Sequence, residues 1–135
     1  MLEITSLVKD GKYNAWLKKV GERVAKDLKI RKLISVVLAG DKKICELNRR
    51  YRKKNRVTDV LSFGDWRRPD FLGEIVISLP QIERQAKEYK VEIKQELARI
   101  LIHGILHLTG LDHENSKVEE HKMFKKQEQL LKLVA

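Results

Sequence analysis

His103-Gly104-Ile105-Leu106-His107-Leu108-Thr109-Gly110-Leu111-Asp112-His113 holds three of the four histidines in the chain. His103 and His107 are four residues apart. On a helix that spacing stacks both imidazoles on one face, a turn apart, as a two-point metal grip requires. Gly110 follows three residues later and can take the left-handed conformation that ends a helix and reverses the chain. The reversal would carry His113 back towards the first two rings. Three neutral imidazoles from helix, turn and loop make a tripod with an open position, the layout of a catalytic zinc site and not of a closed structural one. The run is otherwise apolar (Ile100, Leu101, Ile102, Ile105, Leu106, Leu108), and polar rings set in such a segment need partners. This weighs for a metal site over three unrelated histidines.

The same spacing occurs in the metzincin signature H-E-x-x-H-x-x-G-x-x-H. There the residue after the first histidine is the glutamate that serves as general base of a peptidase. Here it is Gly104. The spacing points to a metal, and the missing carboxylate points to a reaction other than peptide hydrolysis.

Upstream of this segment the pattern alternates between strand and helix. Residues 2–8 read as a short strand ended by Asp10-Gly11. Tyr13, Trp16, Leu17, Val20, Val24 and Leu28 follow a helical period. Leu33–Ala39 is nearly all apolar and β-branched, the signature of a central buried strand. After Gly40, with Asp41 as N-cap, a helix over 42–52 should bury Ile44, Leu47 and Tyr51 and expose its basic residues. Strands are expected over 59–63 and 73–78, and the two can pair as an antiparallel hairpin across the loop between them. Ser78 and Gln81 form a capping-box pair with Pro80 in the first turn, opening a helix that runs to about Tyr89. The histidine helix spans about 92–108. Ser116 and Glu119 open a last helix whose core stripe includes Met123, Phe124, Leu130 and Leu131. The order β-α-β-α-β-β-α-α-α predicts a single α/β domain of α+β type over residues 1–135, with a four-stranded mixed sheet and about five helices.

The apolar runs fall far short of the roughly 20 residues a membrane span needs. Met1-Leu2-Glu3-Ile4 does not read as the start of a signal peptide. Cys45 is the only cysteine, which excludes an intramolecular disulfide and suits a reducing cytoplasm. It reads as a small core residue. The net charge is +10, which favours a polyanionic partner, though a membrane surface or simple solubility also fits. Its distribution decides more. Lys42, Lys43, Arg49, Arg50, Arg52, Lys53, Lys54 and Arg56 face a single acid, Glu46, within fifteen residues.

Other residues are open to two readings. Asp112 either orients a histidine ligand or shapes the turn beside Gly110. Thr58, Asp59 and Ser62 either line the cleft, Asp59 as base or orienter, or cap a strand. Trp66 and Phe71, with Arg67 and Arg68, can stack on unpaired bases, or Trp66 can anchor its loop. His121 reads as a surface histidine.

Taken together, H-G-x-L-H-L-x-G-x-D-H, Asn48 to Arg52, Thr58-Asp59-Val60-Leu61-Ser62-Phe63 and Leu72-Gly73-Glu74-Ile75 resemble the bacterial YbeY family of metal-dependent, single-strand-specific endoribonucleases. The likeness runs from about Val36 to the C-terminal helix, with Leu111 where the family usually has Tyr and Glu74 where it usually has Asp. The resemblance implies a zincin-like fold and a role in rRNA maturation and ribosome quality control. It also implies one divalent ion, zinc first among candidates, on His103, His107 and His113. Rings of imidazole suit zinc, nickel, copper or iron. The resemblance further singles out Arg52 as a catalytic residue. Without it Arg52 is one basic residue among eight. RNA, above all rRNA and ribosomal subunits, is the partner implied, in the cytoplasm. Two other functions compete: a zinc-dependent hydrolase of another substrate such as a peptide, and a non-enzymatic ribosome-associated RNA-binding factor whose metal braces the fold. Gly104 and the basic segment weigh against the first, and the open tripod weighs against the second.

Overall fold

The structure, a computed structural model, describes residues 1–8, 11–52, 58–65, 67–110 and 117–134, with Arg52 described in its backbone alone. The chain runs β1 (Leu2–Ser6), α1 (Asn14–Asp27), β2 (Leu33–Ala39), α2 (Asp41–Arg52), β3 (Val60–Gly64), β4 (Phe71–Ser78), α3 (Leu79–Tyr89), α4 (Ile93–Leu108) and α5 (Lys117–Val134). The four strands form one sheet in the order β1-β2-β4-β3. β2 pairs in parallel with β1 and with β4. β3 pairs antiparallel to β4, with Leu61 opposite Val76 and Phe63 opposite Glu74. The expected α+β domain with a mixed sheet and five helices is the fold observed.

The nearly continuous apolar run of β2, interrupted by Ser35, follows from its position. Successive side chains of a strand point to opposite faces, and both faces here are covered. Ile34, Val36 and Leu38, with Ile75 and Ile77 of β4, face a core built from α1, α3, α4 and α5. Ala39, with Val76 and Leu61, faces Ile44 of α2, flanked by Val37 and Leu47. One helix thus covers one side of the sheet and four cover the other. Burying one large aliphatic side chain contributes about 1.5–3 kcal/mol, so these alternating positions resist polar substitution.

Helix ends differ in detail from expectation. Ser78 caps α3, its Oγ accepting from Gln81 N at 3.4 Å. The reciprocal half of the capping box does not form. The Gln81 side chain instead donates to Gln85 Oε1 and accepts from Arg84, while Ser78 N donates to Asp59 O. Asp41 opens α2, and its carboxylate takes Arg84 Nη1 and Nη2 at 3.0 and 2.8 Å, with Ser78 Oγ at 3.3 Å. This fork joins α2 to α3. The Arg84 hydrogen bond, against partial burial, holds the Asp41 carboxyl below its ordinary value. No glycine or proline separates α3 from α4. The break is made by Lys90 in the left-handed region (φ 58°, ψ 43°), its N–H turned back to Ala86 O and Lys87 O.

Two expected core residues lie outside. Tyr51 is 58% exposed and rests edge-on against Phe63, ring centroids 5.2 Å apart. Phe124 is 59% exposed. The buried stripe of α5 is Met123, Gln127, Leu130 and Leu131, which turns Phe124 away from the core. Cys45 is half-buried. The expected cap at Ser116 lies outside the described residues.

Candidate metal centre and nucleic-acid face

α4 buries Leu97, Ala98, Ile100, Leu101, Ile102, Gly104, Ile105 and Leu106, packing against the sheet and against α1, α3 and α5. Its remaining stripe carries Glu96, Arg99, His103 and His107, spaced at three or four residues, so all four share one face. His103 and His107 are half-buried. Their rings lie 4.6 Å apart at 71°, with the two Nε2 atoms 3.1 Å from each other. The helix ends as expected: Gly110 has φ +95° and its N–H bonds His107 O at 3.1 Å.

The chemistry of the pair is set from α5. Gln127, 4% exposed, brings its Oε1 to 2.8 Å from His103 Nδ1. A carbonyl oxygen only accepts, so Nδ1 is the donor in this bond, and the neutral ring then presents its Nε2 lone pair. Such a bond to the outer nitrogen fixes the tautomer and ring orientation of a metal-ligating histidine. Two zinc–nitrogen bonds of about 2.0–2.1 Å, opened to the tetrahedral angle, set their nitrogens about 3.3–3.4 Å apart. The 3.1 Å separation is close to that bite. The two residues therefore fit a shared cation with little ring movement. Among the described residues no group of three His, Cys, Asp or Glu side chains forms a metal site. His113, the third ring of the expected tripod, lies outside the described residues, as do Leu111 and Asp112.

Gly104 explains the absent glutamate. A Cβ built on it would lie 3.0 Å from Ile75 Cγ2 and 3.1 Å from Ile75 Cδ1. This position faces β4 at close range, and any side chain there would need Ile75 to shift by a few tenths of an ångström. The peptidase-type base is absent from the sequence, and close packing against Ile75 favours glycine in its place.

The other expected residues divide. Arg52 ends α2, and its side chain, like Lys53, Lys54 and Arg56, lies outside what is described. Lys42, Lys43, Arg49 and Arg50 are exposed on α2, a basic face opposite the one that packs Ile44. Thr58, Asp59 and Ser62 are half-buried. Asp59 lies near enough to Arg99 to favour its charged form. Phe71 begins β4, and Arg68 already covers its ring at 4.6 Å, so it is not a bare stacking surface. Trp66 lies outside the described residues. His121 is exposed, as expected, and lines a cavity that it shares with His103.

Two features escaped the sequence reading. One is Gln127, legible in retrospect as the polar interruption of the α5 stripe. The other is a chain that runs from Gln85 through Glu96 to Arg99. Gln85 Nε2 donates to Glu96 Oε2 at 2.8 Å, and Arg99 grips both Glu96 oxygens at 2.9 and 2.6 Å. Glu96 is 2% exposed. Its hydrogen bonds, outweighing burial, raise the pKa of Arg99 above the ordinary guanidinium value.

Comparison with known proteins gives the family. A family model described as endoribonuclease YbeY matches residues 3–135. Endoribonuclease YbeY of Thermodesulfovibrio yellowstonii is 50% identical over 103 residues, covering 73% of this chain and 65% of that protein. Its counterpart in Persephonella marina is 42% identical over 121 residues, covering 85% of this chain and 79% of the relative. The solution structure of TM1509 from Thermotoga maritima matches with a TM-score of 0.73 at 33% identity, over 99% of this chain and 89% of that one. A histidine pair on a helix whose neighbouring glycine replaces a peptidase base is thus found in a chain matched almost end to end, and the chain belongs to the endoribonuclease YbeY family.

Proposed function

We propose that the protein is a metal-dependent endoribonuclease that hydrolyses phosphodiester bonds in single-stranded RNA, with rRNA and ribosomal subunits as its substrates in the cytoplasm. His103, His107 and His113 hold one divalent ion, zinc by preference. The observation that carries the reading is the convergent Nε2 pair with Gln127 on the outer nitrogen of His103. None of the three ligands is anionic, so a bound ion keeps its full charge; it supplies that charge to the oxyanion of a phosphoryl transition state and makes water more acidic.

The protein's own groups do the rest. Gln127 keeps His103 in one tautomer. The exposed basic face of α2, with Lys53, Lys54 and Arg56 next in the sequence, draws the RNA backbone in through its phosphates. Arg52 sits at the end of that helix, and its planar guanidinium binds two phosphate oxygens at once and stabilises the charge that gathers during bond cleavage. No helix among the described residues is long and apolar enough to cross a membrane.

The test is endonucleolytic cutting of an end-labelled single-stranded RNA by highly purified protein, beside a duplex RNA and a peptide. Cleavage of the single strand alone is expected, and its loss in His103→Ala. Peptide cleavage, or RNA cleavage undiminished in that variant, would overturn the reading.

A further inference from the structure

A cavity of about 550 Å³ opens beside His103, a size that takes ligands such as a nucleotide. One wall is the α4 stripe, through Arg99 and His103. The other is the first half of α5, where Lys117, Glu120, His121 and Phe124 lie at i, i+3, i+4 and i+7 and so share one helical face. Gln127 lies between them. The cavity therefore begins at the candidate metal site and leads away from it along α5.

Two of its side chains are built for a ligand. Arg99 is held before any ligand arrives: Nε and Nη2 are taken by Glu96, itself buried and braced by Gln85. Among the described residues its Nη1 donates to nothing, and the side chain remains 32% exposed. A guanidinium fixed along one edge offers its other edge as a rigid fork, the geometry that suits a phosphate. Lys117 and His121 add basic groups on the facing wall, against Glu120 alone. Phe124 stands exposed on a helix otherwise rich in charge, and among the described residues no ring or cation lies against it. An uncovered aromatic face next to a phosphate fork is the combination that binds unpaired nucleotides by stacking.

We propose that this cavity is a nucleotide subsite, holding the unpaired residue next to the cleaved phosphodiester with its base on Phe124 and its phosphate on the outer edge of Arg99. The proposal rests on the RNA-cleaving reading above and gives that reading a source of strand selectivity. A base in a duplex is already stacked on its neighbours and cannot be given up to Phe124 without unpairing.

The experiment is a coupling measurement on short single-stranded RNAs carrying one abasic residue at each successive position. Binding is read by fluorescence anisotropy and cleavage by single-turnover assay, for the parent, Phe124→Ala and Arg99→Lys. Phe124→Ala should weaken binding of the intact strand about 5- to 100-fold, the range for one lost base stack. One abasic position beside the cut should cost the parent a similar factor and cost Phe124→Ala nothing more. Arg99→Lys, which keeps the charge over buried Glu96 but loses the fork, should weaken intact and abasic strands alike. Penalties that simply multiply at every position, or an Arg99→Lys variant that binds like the parent, would overturn the subsite. If the parent cleaves RNA and shows no coupling, the subsite alone falls. If coupling appears without cleavage, the nucleotide contact at Phe124 and Arg99 stands, and its place beside a cleaved bond falls with the hydrolytic reading. If the parent neither binds nor cleaves, both fall.

Discussion

Replacing Gln127 by leucine would keep the packing of α5 and remove the carboxamide acceptor at His103 Nδ1. The Gln127 side chain is 4% exposed and the bond is 2.8 Å long. Two consequences follow. Losing one hydrogen bond at this half-buried ring costs about 0.5–1.5 kcal/mol, and for a domain of this size each kcal/mol lowers Tm by about 3–5 °C. Freed to turn over and change tautomer, His103 should also bind metal about 10- to 100-fold more weakly, the usual effect of removing a hydrogen bond behind a ligand. Gln127→Glu retains an acceptor and should keep most of the affinity at neutral pH. The assay is competitive zinc titration against a chromogenic chelator, with thermal melts of the metal-free and zinc-loaded proteins. Gln127→Leu should lose affinity in the first and show a smaller zinc-induced rise in Tm in the second. Zinc affinity equal to the parent's, with only a lower Tm, would mean that Gln127 is a structural residue and that the outer nitrogen of His103 is not part of the site.

Arg52→Ala should leave metal content and folding intact and slow single-turnover cleavage about 10²–10³-fold, as removal of one charge-stabilising donor does; Arg52→Lys should recover only part, and equal losses of binding and cleavage would make Arg52 a phosphate anchor. RNA affinity should fall linearly in log–log plots against salt, and Lys53→Glu with Lys54→Glu should flatten the slope; an unchanged slope would move the contacts elsewhere. The hydrogen bond from Arg84 holds the Asp41 carboxyl below the usual carboxylate range, so its stabilisation is full above that range and disappears as pH falls through the depressed value. Arg84→Gln should therefore lower stability near neutrality and flatten its acid-side decline in urea titrations between neutral pH and pH 3. Because both side chains are exposed by 40% or more, added salt should shrink the difference.

Much of the fold was legible because local pattern and final environment agree. The apolar run of Leu33–Ala39 requires two covered faces, and β2 has them. The i, i+4 histidines with Gly110 behind them specify one face of a helix and its end, and α4 supplies both. The residues misread were aromatics judged by helical phase alone. Tyr51 and Phe124 sit at the margin of their apolar stripes, where a small rotation of the helix decides between core and solvent. Phase cannot supply that rotation, because it is set by partners distant in sequence, Phe63 for Tyr51 and the Gln127–His103 bond for α5. The break at Lys90 was hidden for another reason, since a lysine in the left-handed region carries none of the glycine signal of a helix end. The absent peptidase glutamate was visible at once in Gly104, but its cause, the approach of Ile75 from β4, belongs to packing alone.

The most direct test of a metal-dependent ribonuclease centred on these histidines is cleavage measured against zinc occupancy on one sample. Metal-stripped protein should not cut a single-stranded RNA, and activity should rise with added zinc to a plateau at one equivalent. His107→Ala should show little bound metal by elemental analysis and no recovery. Full cleavage by the stripped protein, or full metal occupancy and parental activity in His107→Ala, would contradict the account.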